Sequence, residues 1–269
     1  MKTPIRISVI VRSADAFGFA NASIRYASLL AGVAHEIIDT RDAPSPAEGC
    51  NRGMRQATGD ILIFSRDDVL ILDPDFAPKI IEHMRTFDLL GFAGTDRLIT
   101  ASWYGAGQPH LYGAVAHGES GKPRLNLYGV PGWPTIANIQ ALDGFCLIAR
   151  REAALAIGFD AANFDGDCLY DLDFCFSAHL AGRRLGVCCD IPVLGPRTVD
   201  PDRNPEYAER FLEKHTERIA GARPEKIHDT PEYRSAMFTD HEALRRAWRP
   251  DLFLRATQAL WRTGQMSAN

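Results

Sequence analysis

The chain has 269 residues, of which 46% are hydrophobic and 24% are charged, and its formal net charge is −4. This length is enough for one α/β domain of about 200 residues with an appendage. The negative balance argues against a nucleic-acid-binding protein, which is usually basic, but it does not exclude a small anionic ligand.

The cysteine pattern and the absence of long apolar runs predict the cellular setting. The six cysteines form no C-x-x-C pair and have no histidine at zinc-finger spacing. We therefore predict reduced core thiols in a cytoplasmic protein. No apolar run approaches the ~18 residues of a membrane span, so we expect neither a signal peptide nor a membrane helix.

The first half of the sequence alternates strand and helix patterns, which predicts a mostly parallel sheet. Asp73 is expected to cap the third helix, with Pro74 in its first turn. The predicted elements are, in chain order, a strand at Ile5–Val11, a helix at Phe17–Ala31, a strand at His35–Thr40, a helix at Pro46–Thr58, a strand at Asp60–Phe64, a helix from Asp73 to about Phe87 and a strand at Leu89–Ala93.

The second half is less regular. Residues 101–135 are rich in Gly, Tyr, Trp and Pro, and we expect loops and short strands that form a wall over the sheet. We place an α/β domain at 1–200 and a helical extension, packed on or near it, at 201–269. The later predicted elements are a strand at Ala141–Ala149, a helix from Arg151, a helix at Cys168–Ala181, a strand at Leu185–Cys189, and helices at Glu206–Ala220, Thr239–Trp248 and 251–263.

The most informative segment is GDILIFSRDDV, in which an apolar strand runs into the adjacent acids Asp67 and Asp68. Neighbouring carboxylates repel each other unless a cation or a hydrogen-bond donor lies between them. Ligands bind at the carboxyl ends of strands in open α/β sheets. The segment therefore predicts a metal-assisted site for an anion such as a nucleotide diphosphate, although a solvated turn or a helix cap is an alternative.

Polar residues also follow the first two predicted strands. Arg12 and Ser13 end the first strand, and Asp39, Arg41 and Asp42 end the second. A carboxylate there could accept from the N–H of a uracil ring, a serine could bond a base, and an arginine could offset phosphate charge. Surface loops with a pair of opposite charges would show the same residues.

Two further segments suggest acid–base chemistry. In Tyr170-Asp171-Leu172-Asp173-Phe174, a carboxylate sheltered by aromatic rings could have a raised pKa and act as a general base. Favourable placement of acids in a first helical turn explains the same pattern. The Asp143-Gly144 pair could hold an acceptor hydroxyl or form a turn, and aromatic residues such as Trp133 could stack on a sugar or simply pack within loops.

Taken in order, these segments resemble the GT-A fold glycosyltransferases of the broad family 2. The resemblance covers about residues 5–195, and the subgroup that it suggests is the majastridin-like one. It rests on SVIVRS, HEIIDTRD, an A-x-x-x-N pattern at Ala47–Asn51, GDILIFSRDD, a D-G-F-x-x-x-x-R pattern from Asp143 to Arg150, and YDLDFCFSAHLAGRRL.

The resemblance implies a three-layer α/β/α domain that transfers a sugar from a nucleotide donor, UDP above all, to an unknown acceptor, with inversion and with Mn2+ or Mg2+. It assigns Asp68 to the metal, with Asp67 at the ribose and near the metal. Asp171 is the implied base and Asp173 the reserve candidate. The implied donor site comprises Val11, Arg12, Ser13, Asp39, Arg41, Asp42, Asn51, Arg66 and Asp67, and the acceptor and sugar site comprises Trp133, Asp143 and Gly144.

Two other functions stay open. One is a nucleotide-binding protein of the same fold without transferase activity. The other is a nucleotidyltransferase, which usually has a Gly-rich basic loop after its first strand, where this chain has RSADAFGF. The C-terminal helices could form a homodimer or, through Arg245, Arg246, Arg249 and Arg255, touch an anionic membrane, and a solvated helix face is the alternative.

Overall fold

The computed structural model describes residues 4–118, 122–129, 133–195, 205–219 and 234–248. Most of the predicted strands and helices are present, with ends shifted by one to a few residues. The elements are β1 (Arg6–Arg12), α1 (Ala16–Leu29), β2 (Ala34–Asp39), α2 (Pro46–Gln56), β3 (Ile61–Arg66), β4 (Leu70–Ile71), α3 (Phe76–His83), β5 (Leu89–Gly91), β6 (Ala93–Thr95), a 3-10 helix (Trp103–Ala106), β7 (Leu111–His117), β8 (Arg124–Tyr128), β9 (Thr135–Ile136), β10 (Ala141–Leu142), β11 (Cys146–Arg150), α4 (Arg151–Ile157), α5 (Tyr170–Leu180), β12 (Leu185–Cys188), β13 (Val193–Leu194), α6 (Pro205–Ile219), β14 (Arg234–Met237) and α7 (His241–Ala247).

The larger sheet has seven strands in the order β2-β1-β3-β11-β5-β12-β9. β1 pairs in parallel with β2 and β3, and β12 pairs in parallel with β5. β11 lies antiparallel between β3 and β5, so β5 and β12 run in the same direction as β3. Five of these strands therefore point one way, which confirms the prediction of a mostly parallel central sheet. Their carboxyl ends share one edge.

The core lies on both faces of this sheet. Ile7, Val9 and Ile63 have no exposed surface, and Tyr26 on α1 and Phe174 on α5 are buried against the sheet. Strands buried on both faces form continuous apolar runs, which is why the sequence pattern of β1 and β3 was clear. The six cysteines are all free thiols, and five of them are buried.

A second sheet, called the small sheet below because most of its strands are short, also has seven strands and lies beside the first, large sheet. Its strands follow the order β10-β6-β7-β13-β4, with β8 on β7 and β14 on β8. Two of its strands, β7 and β8, come from the aromatic, Gly-rich middle of the chain. The segment after Asp68 enters this sheet through β4, so the second sheet begins directly after the acidic pair.

Two predicted strands are wrong in extent, because each changes sheets. The strand expected at Leu89–Ala93 is β5 in the large sheet and β6 in the small one, and the strand expected at Ala141–Ala149 is β10 and β11. Both halves of each are buried, so no polar residue interrupted the apolar pattern at Phe92. The break in the second case falls at Asp143-Gly144, which places these residues between the sheets.

The start of α3 also differs from the prediction. The helix begins at Phe76 rather than at Asp73-Pro74. Asp73 accepts hydrogen bonds from the Asp75 amide (2.9 Å) and from the Lys79 ammonium (2.6 Å). Asp73 therefore closes the turn before the helix instead of capping the helix itself.

The C-terminal segment packs on the α/β domain through α6. Phe211 and Ile219 join the main hydrophobic core. His215, which is 5% exposed, bonds the buried Asp173 carboxylate (2.8 Å), and Lys214 bonds the same carboxylate (2.9 Å). Since α6 covers α5 in this way, residues 205–219 help to hold the helix that carries Asp171.

The rest of the C-terminal segment adds to the small sheet. β14 was not predicted, whereas α7 lies within the predicted helix at Thr239–Trp248 and buries Leu244 against β7 and β8. None of the described helices combines the length and apolarity that crossing a bilayer requires. The helix expected at 251–263, Arg249 and Arg255 lie outside the described residues, and the domain boundary, the dimer and the membrane contact stay predictions.

We predict that His215→Ala destabilises the protein by about 1–3 kcal/mol, because it leaves the buried Asp173 carboxylate with one partner fewer. Urea unfolding of the two proteins measures the change. Glu217→Ala on the exposed side of the same helix is the control, and its effect should stay within about 0.5 kcal/mol. Equal stability of the two variants would contradict the proposed anchoring of α6.

Candidate active site

The sheet register brings the first three strand ends together. Val11 lies beside Asp39 of β2 and beside Ser65 of β3, and Arg12 lies beside Arg66. The residues that follow these strands therefore meet at one edge of the sheet. Val11 itself is buried, and its carbonyl accepts a hydrogen bond from the Thr40 hydroxyl (3.1 Å).

Asp67 is held in place by the first strand end and by α1. The Ser13 hydroxyl donates to its carboxylate, and the Arg25 guanidinium donates to its carbonyl oxygen. A Cβ at Gly18 would lie 2.1 Å from Asp67 Oδ2. Glycine is therefore required there for the carboxylate to approach α1.

Asp68 has a different environment. Its side chain is 43% exposed, and Arg66 forms a two-bond ion pair with it at 2.9 and 2.7 Å. The pair joins residues i and i+2 at the end of β3, where solvent reaches both groups. An incoming cation would have to replace Arg66 at this carboxylate.

The end of β2 also carries ion pairs. Arg41 chelates the Asp39 carboxylate, with donor–acceptor distances of 2.6–3.0 Å, and its guanidinium lies 5.3 Å from the Phe19 ring centroid. The pairing with Arg41 lowers the pKa of Asp39, so this side chain is an anion at neutral pH. Asp42 pairs with Arg52 of α2.

Asn51 joins two elements near the cleft. Its side-chain amide donates to the Phe159 carbonyl (2.8 Å), and its oxygen accepts from the Phe159 amide (2.9 Å). These two hydrogen bonds to the backbone of one residue occupy both polar groups of the Asn51 side chain. Asn51 fixes the segment after α4, and its assignment to the nucleotide stays a prediction.

Asp171 and Gly144 are in direct contact. Asp171 lies in the first turn of α5, and its carboxylate accepts from the Leu172 amide (2.9 Å). A Cβ added to Gly144 would lie 1.7 Å from Asp171 Oδ2, so only glycine admits the carboxylate. Leu169, just before the helix, has a left-handed backbone (φ 64°), which is rare for a branched residue and turns the chain into α5.

Asp143 and Asp171 form a pair of partly buried carboxyl groups. Burial and, after it, the negative charge of Asp171 together raise the pKa of Asp143 to about 7. Hydrogen bonds from the Phe145 amide and the Trp103 indole oppose this shift. Burial also raises the pKa of Asp171, although Arg12 and Arg66 oppose the shift. Raised pKa values at two neighbouring carboxyl groups in one cleft suit acid–base chemistry.

Asp173 faces the other way. Residues two apart on a helix do not share a face, so Asp171 can line the cleft while Asp173 turns toward α6. Asp173 is 1% exposed, and its carboxylate is bonded by Lys214 and His215. Its role as a reserve base stays a prediction, with geometry that favours Asp171.

The residues meet in a cleft of about 350 Å³, part of which is open solvent. Of the predicted site residues, Arg12, Arg66, Gly144 and Asp171 line it, and Asp67 and Asp68 follow directly in the chain. Arg12 extends over the Tyr170 ring and pairs with Asp167 at 3.1 Å. The other lining residues are Ile10, Thr40, Cys50, Phe64, Ser65, Leu147, Phe159 and Tyr170.

Sequence reasoning missed the polar residue Thr40, and it considered Trp103 only as one of the aromatic residues that could stack on a sugar. Thr40 lies between two residues that were singled out, Asp39 and Arg41, so its position at a strand end was a usable signal. Trp103 reaches Asp143 only because β6, which precedes it, belongs to the small sheet. By contrast, the predicted Trp133 is 74% exposed.

The aromatic side chains of the middle segment form their own cluster. Trp103, Tyr104 and Tyr128 pack edge to face, with ring centroids 5.3–5.9 Å apart. Tyr104 is 49% exposed, so one ring of the cluster is open to solvent. Because Trp103 also contacts Asp143, the cluster lies next to the pair of carboxyl groups.

A mostly parallel sheet with acids at its carboxyl edge and a small second sheet beside it is the architecture of a GT-A glycosyltransferase. The model of the glycosyltransferase-like family matches residues 8–215, which is more than half of the chain. The chain belongs to this family. The predicted resemblance to GT-A proteins of family 2 is thus confirmed, and the majastridin-like subgroup stays a prediction.

Solved structures with similar backbones are distant in sequence. Mannosyltransferase PcManGT of Pyrobaculum calidifontis, in complex with GDP-Man and Mn2+, is 12% identical with a TM-score of 0.49, over 99% of this chain and 77% of that one. TarS 1–349 of S. aureus is 12% identical with a TM-score of 0.46, over 97% of this chain and 92% of that one. GalNAc-T7 with UDP, GalNAc and Mn2+ is 11% identical with a TM-score of 0.46, over 79% of this chain and 48% of that one. No curated protein sequence matches the chain significantly.

We predict that Asp143 makes the stability of the protein fall as the pH rises. Its pKa in the folded state is about 7, above the ordinary 3.8, so the folded state binds the proton more tightly than the unfolded state does. The resulting stabilisation is complete at low pH and is lost as the pH rises through about 7.

Urea unfolding of the wild type and Asp143→Asn from about pH 4 to about pH 8 tests this pH dependence. The stability of the wild type relative to the variant should decrease steadily across that range. A constant difference, or one that increases with pH, would contradict the burial of this carboxyl group.

Proposed function

We propose that this protein is a metal-dependent glycosyltransferase that moves a sugar from UDP to an acceptor hydroxyl with inversion. The observation that carries the proposal is the contact of Asp171 with Gly144 inside the cleft, at the edge where the first three strands end. A carboxyl group with a raised pKa therefore lies at the edge where we expect the nucleotide donor, which supports the proposal. Membership of the glycosyltransferase-like family supports the same reaction class.

The donor nucleotide would lie across the ends of β1 and β2. Ser13 and Thr40 supply hydroxyl groups there, and Asp39 supplies an acceptor for the N–H of a uracil ring. Arg41 fixes the Asp39 carboxylate in place. Arg12 and Arg66 bring positive charge to the cleft lining, where phosphate oxygens would meet it.

The acidic pair fits a hard divalent cation. Mg2+ and similar ions are typically bound by one or two carboxylates together with substrate phosphates and water. Asp68 is exposed, and a bound cation would take the place of its partner Arg66, while Asp67 is positioned by Ser13. Asp68, with Asp67 beside it, would hold Mn2+ or Mg2+, which supplies positive charge for the departing diphosphate when it is bound.

The acceptor would enter beside Asp143 and Asp171. Asp171 in its ionised form takes the hydroxyl proton while the acceptor oxygen forms a bond to the anomeric carbon. The bond from that carbon to the diphosphate oxygen breaks, and the electron pair leaves with UDP. Asp143, bonded by Trp103, would hold the acceptor oxygen or share the proton with Asp171.

Replacement of Asp68 tests the nucleotide and metal assignment. Calorimetry with UDP and Mn2+ should show binding to the wild type, and Asp68→Ala should weaken it by at least about tenfold because the cation loses its main carboxylate. Asp75→Ala is the matched control, since Asp75 is exposed and makes no capping bond. Equal binding by the wild type and Asp68→Ala would refute the metal assignment.

Replacement of Asp171 separates a transferase from a binding protein. With a panel of UDP-sugars, Asp171→Asn should reduce turnover by about 10²–10⁴-fold while UDP and Mn2+ still bind, because only the base is lost. Turnover equal to that of the wild type would show that Asp171 is not the base. UDP binding without turnover in the wild type would favour the nucleotide-binding protein without transferase activity.

A further inference from the structure

A second group of metal-ligating side chains lies where β12 ends, several strands away from the acidic pair in the large sheet. His83 is the last residue of α3, Cys188 is the last residue of β12, and Asp190 follows two residues later. One ligand atom from each of the three lies within 4.8 Å of the other two. The proposed transferase chemistry uses none of them.

The distances between these atoms are close to those of a coordination shell. His83 Nε2 lies 3.0 Å from Asp190 Oδ1, and Cys188 Sγ lies 3.2 Å from the same oxygen. Bond lengths of about 2.0–2.3 Å in a tetrahedral zinc site place neighbouring ligand atoms about 3.3–3.7 Å apart. Small side-chain rotations would therefore admit an ion between the three groups.

The local structure explains why the three side chains converge. Cys188 and Asp190 are two residues apart at a strand end, so their side chains project to the same side of an extended segment. Lys79, one helical turn before His83, bonds the Asp190 carbonyl (2.8 Å) and the Asp73 carboxylate (2.6 Å). Lys79 thus fixes the segment to α3 and leaves the Asp190 side chain to face His83 and Cys188.

The burial and chemistry of the cluster select the kind of ion. Cys188 is 1% exposed, whereas the His83 and Asp190 side chains are 14% and 12% exposed, so solvent reaches one side. We propose that His83, Cys188 and Asp190 form a binding site for Zn2+ or a similar thiophilic divalent cation, with water as the fourth ligand. Thiolate and imidazole prefer such ions to Mn2+ or Mg2+, and one thiolate and one carboxylate balance the charge of a dication.

This site is separate from the predicted cation site at Asp68. β12 is three strands from β3 in the large sheet, with β11 and β5 between them. At a spacing of about 4.8 Å per strand, the two strand ends are about 14 Å apart. Binding at the cluster and binding at the acidic pair can therefore be measured independently.

Titration of the full-length reduced protein with Co2+, which replaces zinc and has a thiolate charge-transfer band, tests the site. The wild type should develop this band with one ion per chain, and Zn2+ should abolish it. Cys188→Ser should remove the band. Cys189→Ser is the matched control, because Cys189 is adjacent and buried but outside the cluster, and it should keep the band, as should Asp68→Ala.

Two results of the Co2+ titration would contradict the proposed metal site. Absence of the band in the wild type, or its persistence in Cys188→Ser, would overturn the site. If Cys188→Ser fails to fold by circular dichroism, His83→Asn replaces it and should weaken Co2+ affinity by at least about tenfold. Unchanged affinity in a folded His83→Asn would also overturn the proposal, whatever the result for UDP binding.

Discussion

Crowding of negative charge at one edge of the large sheet is the constraint on which the rest of the site depends. The negative charge of each acid there is offset in a different way. Ser13 donates to Asp67, and Arg66 pairs with Asp68. Burial beside Asp171 instead raises the pKa of Asp143 to about 7, so this group keeps its proton more readily. A nucleotide diphosphate with its cation would bring both a negative ligand and the positive charge that the exposed acids can use, which explains why such a costly arrangement suits this reaction class.

The position of Asp171 depends on contacts that lie outside the cleft. Gly144 admits its carboxylate on one side, where the chain passes from the small sheet to the large one. On the opposite face of α5, Asp173 is bonded by Lys214 and His215 of α6. The C-terminal segment thus stabilises the helix that supplies the proposed base, although it contributes no lining residue to the cleft among those described.

The large sheet could be predicted from the sequence because strands buried on both faces and helix ends carry local signals. The acidic pair was found because it directly follows one of these apolar strands. Short strands were expected within 101–135, where β7 and β8 lie, but the assembly of the small sheet was not predicted. The continuous apolar run through Phe92 conceals one of the points where the chain changes sheets. The residue pattern alone did not separate Asp171 from Asp173. The resemblance named Asp171 as the base and Asp173 as the reserve, and in the structure only Asp173 packs against α6. The cluster at Cys188 was also out of reach, because the zinc-motif spacings depend on ligands close in sequence, whereas His83 comes from a distant helix.

The central claim is that the acids at the carboxyl edge form a site for a nucleotide diphosphate and a cation. A crystal structure of the protein soaked with UDP and Mn2+ tests it most directly. We expect manganese density at Asp68 with diphosphate oxygens in its shell, the uracil near Ser13 and Asp39, and Arg66 released from the Asp68 carboxylate. Nucleotide bound elsewhere, or Asp68 still paired with Arg66 while UDP fills the cleft without a cation, would contradict the account.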